Sequence, residues 1–205
     1  MTSRTYKTSQ QTQNSILQKA VELFNESGAA SISMSALAEA VGISAGNLQY
    51  HYKNKEELIR AIMERMYQEY DVLFAPIEKP FTLDTLRHLM RLKFDIGWQY
   101  RFFYREFAVL LRNDERLARR YREIQEQRVA ALEEILRQLI ASGAMRGDLS
   151  SAELHNIVLI TLVLSSTWLS YIESAGWEIT PAERERSVAV MVQHFKPYLT
   201  ENVEP

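Results

Sequence analysis

The 205-residue sequence contains no cysteine. A disulfide framework and a thiolate metal site are therefore excluded, which fits a reducing compartment without requiring one. An apolar start is also missing: Met1 to Asn14 is polar and has no h-region of a secretory signal, so the expected location is cytoplasmic. No glycine-rich phosphate loop, nucleophile elbow or zinc signature occurs. None of His51, His88, His155 and His194 has a glutamate three residues before it, as a di-iron helical bundle requires, and His51 has no histidine or cysteine near it to share a metal. These absences predict a protein that is not an enzyme and has no cofactor and no metal. A dominant charge is lacking too. The 24 Lys and Arg against 26 Asp and Glu leave a formal net charge of −2. A chain that coats nucleic acid over its whole surface is excluded, and any DNA affinity has to be local.

What is present is concentrated between Ser33 and Leu58. Apolar side chains at Met34, Leu37, Ala38 and Val41 have the spacing of one helical face, and Ser33 can cap the first amides. Gly42 ends that helix, because the residue past a helix C-terminus often needs a positive φ that glycine adopts without penalty. Ile43 supplies an apolar plug and Ser44 a second N-cap. From Ala45 to Tyr52 only Leu48 and Tyr52, four apart, offer an apolar edge for packing. The other side chains are small or are donors with reach: Asn47, Gln49, Tyr50 and His51 can bond base edges or phosphates, and Gly46 lets backbone approach a duplex. Asn54 and Glu57 have capping-box spacing for the next helix, with Lys53 and Lys55 at the junction as compact cations suited to phosphate. A Gly-Ile-Ser turn also occurs in plain helical bundles. A bundle helix, however, carries a wider apolar stripe than this and gains nothing from Gly46.

The block from about Ile16 to Met63, above all GISAGNLQYHYKNKEEL from Gly42 to Leu58, resembles the TetR family of bacterial transcriptional regulators. The resemblance is at motif level over the first third of the chain and architectural over the rest. It implies an all-α fold of about nine helices: a three-helix helix-turn-helix DNA-binding head in residues 1–54, and a six-helix ligand-binding and dimerising body in residues 55–205. The head helices fall near Gln11–Ser27, Ser33–Val41 and Ala45–His51. Carried over position by position, the family's DNA contacts land on Ser33, Ser44, Ala45, Gly46, Gln49, Tyr50, His51, Lys53 and Lys55. Gln49 stands where many members have the first of two aromatics, and Ala45 where lysine is frequent, so the operator is not borrowed from relatives. Arg4 and Lys7 have two readings, a minor-groove arm or a solvated tail.

Beyond the head, strand signal is scarce. Helix four is expected from Lys55 to about Phe74, ending at Ala75-Pro76. Further helices are expected near Leu83–Gly97, Gln99–Leu111 and Asp114–Ala141, the last capped by Asn113. Ser150-x-x-Glu153 is a capping box that opens helix eight, and Thr180-Pro181-x-Glu183 opens helix nine. Ile157 to Leu164 is apolar all round, hence buried on every side, and the run is short for a membrane span before Ser165, Ser166 and Thr167 interrupt it. The predicted second burial partner is another copy of the chain. The family resemblance likewise implies a two-fold interface of helices eight and nine, with Leu169, Ile172, Val188, Met191, Val192 and Phe195 as contacts. The plainer reading makes helix eight a central core helix.

The body is also the expected place for a small-molecule effector, apolar or amphipathic. The candidate lining is His88, Trp98, Phe102, Phe103, Asn156, Thr161, Ser165 and Trp168, aromatics interleaved with polar groups that orient a ligand. Each aromatic has core packing as its alternative. The expected partners are thus double-stranded operator DNA with palindromic half-sites, the effector and a second protomer, with no membrane.

Overall fold

A computed structural model describes residues 2–74, 81–201 and 203. Among these the chain is all helical, with nine α-helices, two 3-10 turns and one isolated bridge between Met145 and Leu199. It divides into two compact units, residues 1–68 with 99–117, and residues 69–98 with 118–205.

The first unit holds α1 (Thr2–Ser27), α2 (Met34–Val41), α3 (Ala45–His51), most of α4 (Lys55–Asp71) and α6 (Arg101–Asn113). α1 buries Ile16, Leu17, Ala20, Val21 and Phe24, the expected stripe. It starts earlier than the apolar pattern does, because nothing from Thr2 to Asn14 breaks a helix; the side chains of Arg4 and Lys7 lie outside the described ones. The core is completed by Leu37, Leu48, Leu58, Ile62 and Met66, and by Phe102 and Phe103 of α6. Phe24 meets Phe102 edge to face at 5.3 Å. Buried Asn25 fastens α1 to the start of α6: its Nδ2 donates to the Gln99 carbonyl at 2.7 Å and its Oδ1 accepts from Phe102 N at 3.0 Å. Residues 99–117 thus group by contact with these helices in a unit that runs past residue 54.

The second unit contains α5 (Leu83–Gln99) up to Trp98, α7 (Glu115–Ala141) from Ala118, α8 (Ser151–Ser174) and α9 (Pro181–Phe195). Its core gathers Leu86, Leu136, Leu139, Leu154, Ile157, Val158, Met191 and Phe195. The box at Ser150 forms in full, Glu153 N donating to Ser150 Oγ at 3.3 Å and Ser150 N to Glu153 Oε2 at 2.8 Å. Thr180 caps α9, with Pro181 in its first turn.

Some local expectations shift. Asp114, not Asn113, caps α7, its Oδ1 accepting from Arg116 N and Leu117 N. The Asn54 box is half formed: Glu57 N donates to Asn54 Oδ1, but the Glu57 carboxylate accepts from Lys53 N. α4 gives way to a 3-10 turn, Val72–Phe74, and Ala75 and Pro76 lie outside the described residues. At 24 residues, α8 is long and apolar enough to cross a membrane by length and composition, contrary to the expectation of a run too short for that. Nor is it buried on every side, since Leu159, Ile160, Val163 and Tyr171 are exposed.

Candidate nucleic-acid interface and body cavity

In the first unit, two short helices are set by caps that their own sequence dictates. Ser33 Oγ accepts from Ala36 N and Ser44 Oγ from Asn47 N, both at 3.1 Å. Between them Gly42 sits at φ 78, with Gly42 N donating to the Glu39 carbonyl and Ile43 N to that of Ala38. That paired pattern is a Schellman ending, which fixes the turn between α2 and α3. Each capping serine keeps its own O–H as a donor.

α3 is anchored by Leu48, and Tyr52 is buried just past its end. Burial, with the Glu57 carboxylate adding to it, pushes the Tyr52 hydroxyl above its ordinary pKa, so it is a neutral core group. The rest of α3 faces out: Ala45, Gly46, Asn47, Gln49 and Tyr50 are exposed and His51 is half-buried. Tyr50 is 83% exposed, the highest value among the large exposed hydrophobics, and its ring meets that of His51 edge-on at 5.3 Å. Lys53 is exposed as well. Lys55 differs: its Nζ donates to the carbonyls of Ala29 at 2.6 Å and Ala30 at 3.2 Å, so it ties down the loop after α1. Ten predicted contacts therefore lie along the start of α2, the turn, α3 and the α4 junction, with Lys55 carrying a structural bond that spacing alone does not reveal.

The second unit contains a cavity with about 820 Å³ of atom-free space, its open mouth included. Leu86, Leu132, Leu136, Leu139 and Phe195 give it apolar walls, and Thr161 and Ser165 also face it. A smaller neighbour, about 420 Å³ on the same measure, shares Met90, Lys93 and Ser165 with it and is lined by Trp168. Of the predicted effector contacts, these cavities bring together Thr161, Ser165 and Trp168. His88 and Asn156 are exposed, Trp98 lines neither cavity, and Phe102 and Phe103 are core residues of the first unit. The aromatic density around α6 thus reflects packing on α1. The two cavity hydroxyls are engaged within α8, Thr161 Oγ1 donating to the Ile157 carbonyl at 2.7 Å and Ser165 Oγ to that of Thr161 at 2.6 Å.

The strongest polar groups there were not anticipated from the sequence. Lys93 and Arg128 both line the larger cavity. The Lys93 ammonium lies 4.9 Å from the centre of the Tyr70 ring and the Arg128 guanidinium 4.8 Å from the same centre. Lys93 as a whole is half-buried because it borders open cavity space, yet protein surrounds its ammonium. Burial, helped by the Arg128 charge, pushes its pKa down to about 7. The signal in the sequence was a cation inside an apolar stripe: Leu86, Met90, Lys93 and Gly97 on α5, and Ile124, Arg128, Leu132 and Ile135 on α7.

The predicted interface residues can be placed in the same way. Leu169, Ile172, Val188, Met191 and Phe195 are buried within the chain itself and Val192 is half-buried. What α8 presents outward is Leu159, Ile160, Val163 and Tyr171, a stripe with Thr167 between its halves.

A capped helix-turn-helix with a polar, exposed second helix, in an all-helical chain, defines a class of DNA-binding regulators. Sequence comparisons agree with that class. A profile described as "Bacterial regulatory proteins, tetR family" matches residues 16–62, and one described as "Bacterial transcriptional repressor" matches residues 65–204. The chain belongs to the TetR family of bacterial transcriptional regulators. It is 29% identical over 92 residues to the probable regulator ArpR of Pseudomonas putida, covering 45% of this chain and 44% of ArpR. It is 34% identical over 92 residues to the regulator AcrR of Shigella flexneri, covering 45% and 43%. The chain thus matches less than half the length of these curated relatives. A TetR-family regulator from Marinobacter aquaeolei VT8 superimposes with a TM-score of 0.82 at 28% identity, covering 93% of this chain and 92% of that one. These relatives are regulators, not enzymes.

Proposed function

We propose that the protein is a cytoplasmic, effector-responsive repressor that binds a palindromic operator as a homodimer and releases it when a small apolar or amphipathic molecule fills the body cavity. The observation that carries the DNA reading is the exposure of Tyr50, with Asn47 and Gln49, on a helix capped at both ends and anchored by little more than Leu48. A solvent-facing aromatic among amide side chains gains nothing for the fold. Set in a major groove, the same groups contact base edges, Gln49 pairing with adenine in two-toothed fashion, while Ser33, Ser44 and Lys53 reach phosphates.

The dimer reading rests on the outward stripe of α8. Leu159, Ile160 and Val163, with Tyr171 beyond Thr167, form an outward apolar face on a helix whose opposite side is already core, and a two-fold axis lets that face bury itself. Effector release is a linked equilibrium. α4 begins in one compact unit and ends in the other, so a ligand that favours one setting of its last turn alters the spacing of the two recognition helices in a dimer. Operator and effector then weaken each other's binding by the same factor. Among structures of like fold, one is described as AibR in complex with isovaleryl coenzyme A and operator DNA, at 20% identity and a TM-score of 0.66.

A selection of genomic DNA fragments on the immobilised protein, followed by sequencing, tests this reading. The expected product is a palindrome with half-site centres about one helical turn of DNA apart, or a multiple of it. Enrichment without a shared two-fold motif would contradict it.

A further inference from the structure

The geometry points to an amphiphilic carboxylic acid as the effector, with its hydrocarbon part against the apolar walls of the larger cavity and its carboxylate held by Lys93 and Arg128. This rests on the reading of that cavity as the effector site.

Among the described residues, the two cations are the only ionisable groups that line this cavity, and both lie within 5 Å of the Tyr70 ring centre. Among the described residues, no carboxylate lies within ion-pair distance of Lys93. The other elements around it contribute neutral groups: Tyr70 from α4, Thr161 and Ser165 from α8, Ser187 and Met191 from α9. On α9, Arg184 is engaged with Asp95 and Glu185 with Arg91.

Charge placed in an apolar wall is costly unless something completes it. A neutral ligand would bring no countercharge to Lys93, and a cationic one would add a third like charge beside Lys93 and Arg128. A carboxylate accepts hydrogen bonds from both, in the geometry guanidinium groups favour. Trp168 Nε1, buried beside the smaller cavity with no acceptor among the described residues, is a further donor near the shared wall. With its ammonium partly neutral near pH 7 in the empty protein, Lys93 takes up a proton when an anion binds.

The test is calorimetry on the full chain with octanoate and the isosteric octanamide, in two buffers of different ionisation enthalpy above neutral pH. Octanoate should bind at least about tenfold tighter than octanamide, the factor one charge-assisted hydrogen bond supplies, and with net proton uptake. Lys93→Met should weaken that preference several-fold and abolish the proton uptake, and Lys93→Arg should restore the preference, with thermal melts confirming that both variants fold. Equal binding of the two ligands, indifferent to Lys93→Met, overturns the assignment of an acid while leaving the cavity as the site. Leu132→Trp, which fills the cavity, should lose both ligands. If it binds both unchanged, or if the unaltered protein binds neither, the cavity reading falls and the acid with it.

Discussion

At Gly46 the missing side chain is itself the informative feature. A Cβ built there meets no atom within 4 Å, so the fold does not demand glycine at this position. Glycine is a poor helix former, and Gly46→Ala should leave the melting temperature unchanged or raise it, by up to about 1 kcal/mol in stability. If backbone approaches DNA at this point, the same change weakens operator binding. A variant that loses both stability and binding would show that the glycine serves the head's own packing instead. Lys93 supplies the opposite case, a residue present at a cost. In the unfolded chain a lysine titrates near 10.4, whereas in the folded protein Lys93 titrates at about 7. Below about pH 7 both states are charged and the folded one bears the whole burial cost. Between that pH and about 10 the unfolded chain binds more protons, so the contribution to stability rises with pH. Lys93→Met should therefore raise the melting temperature more at about pH 6 than at about pH 10, and a gain independent of pH would remove the case for a buried ammonium.

Among the elements, those set by local chemistry were the ones legible in the sequence. The caps at Ser33, Ser44, Ser150 and Thr180 each depend on a side chain within three residues of the amide it serves, and all four form. Spacing alone could not say which side of α8 faces the chain's own core. Its residues are apolar on every face, so periodicity carries no direction, and the packing of α7 and α9 decides it: Leu169 and Ile172 turn inward while Val163 and Tyr171 stay out. Val163, 59% exposed, provides the test for that element. Val163→Glu should convert a dimer into a folded monomer, read by light scattering on a sizing column beside a thermal melt. An intact dimer would remove α8 from the interface, and unfolding would place Val163 in the core.

For the whole molecule, the head was legible because its motif is contiguous: capped α2, the Gly42 turn and α3 lie within 19 residues, from Ser33 to His51. The division into units was not, because it depends on bonds between distant residues. Asn25 contacts Gln99 and Phe102, 74 and 77 positions away, and so draws α6 into the first unit. The cavity cations were missed for a related reason: Lys93 and Arg128 come together only because α5 and α7 both line the same space. The account as a whole depends on α3 being a DNA reader. Its most direct test is a fluorescence-anisotropy titration against DNA from upstream of the protein's own gene and against scrambled DNA, at several salt concentrations, with the unaltered protein and Tyr50→Ala. The account predicts tight binding selective for the native DNA, falling steeply with salt as phosphate counterions are released, and loss of selectivity in a Tyr50→Ala variant that melts normally. Selective binding unchanged by Tyr50→Ala, or DNA binding insensitive to salt, would contradict it.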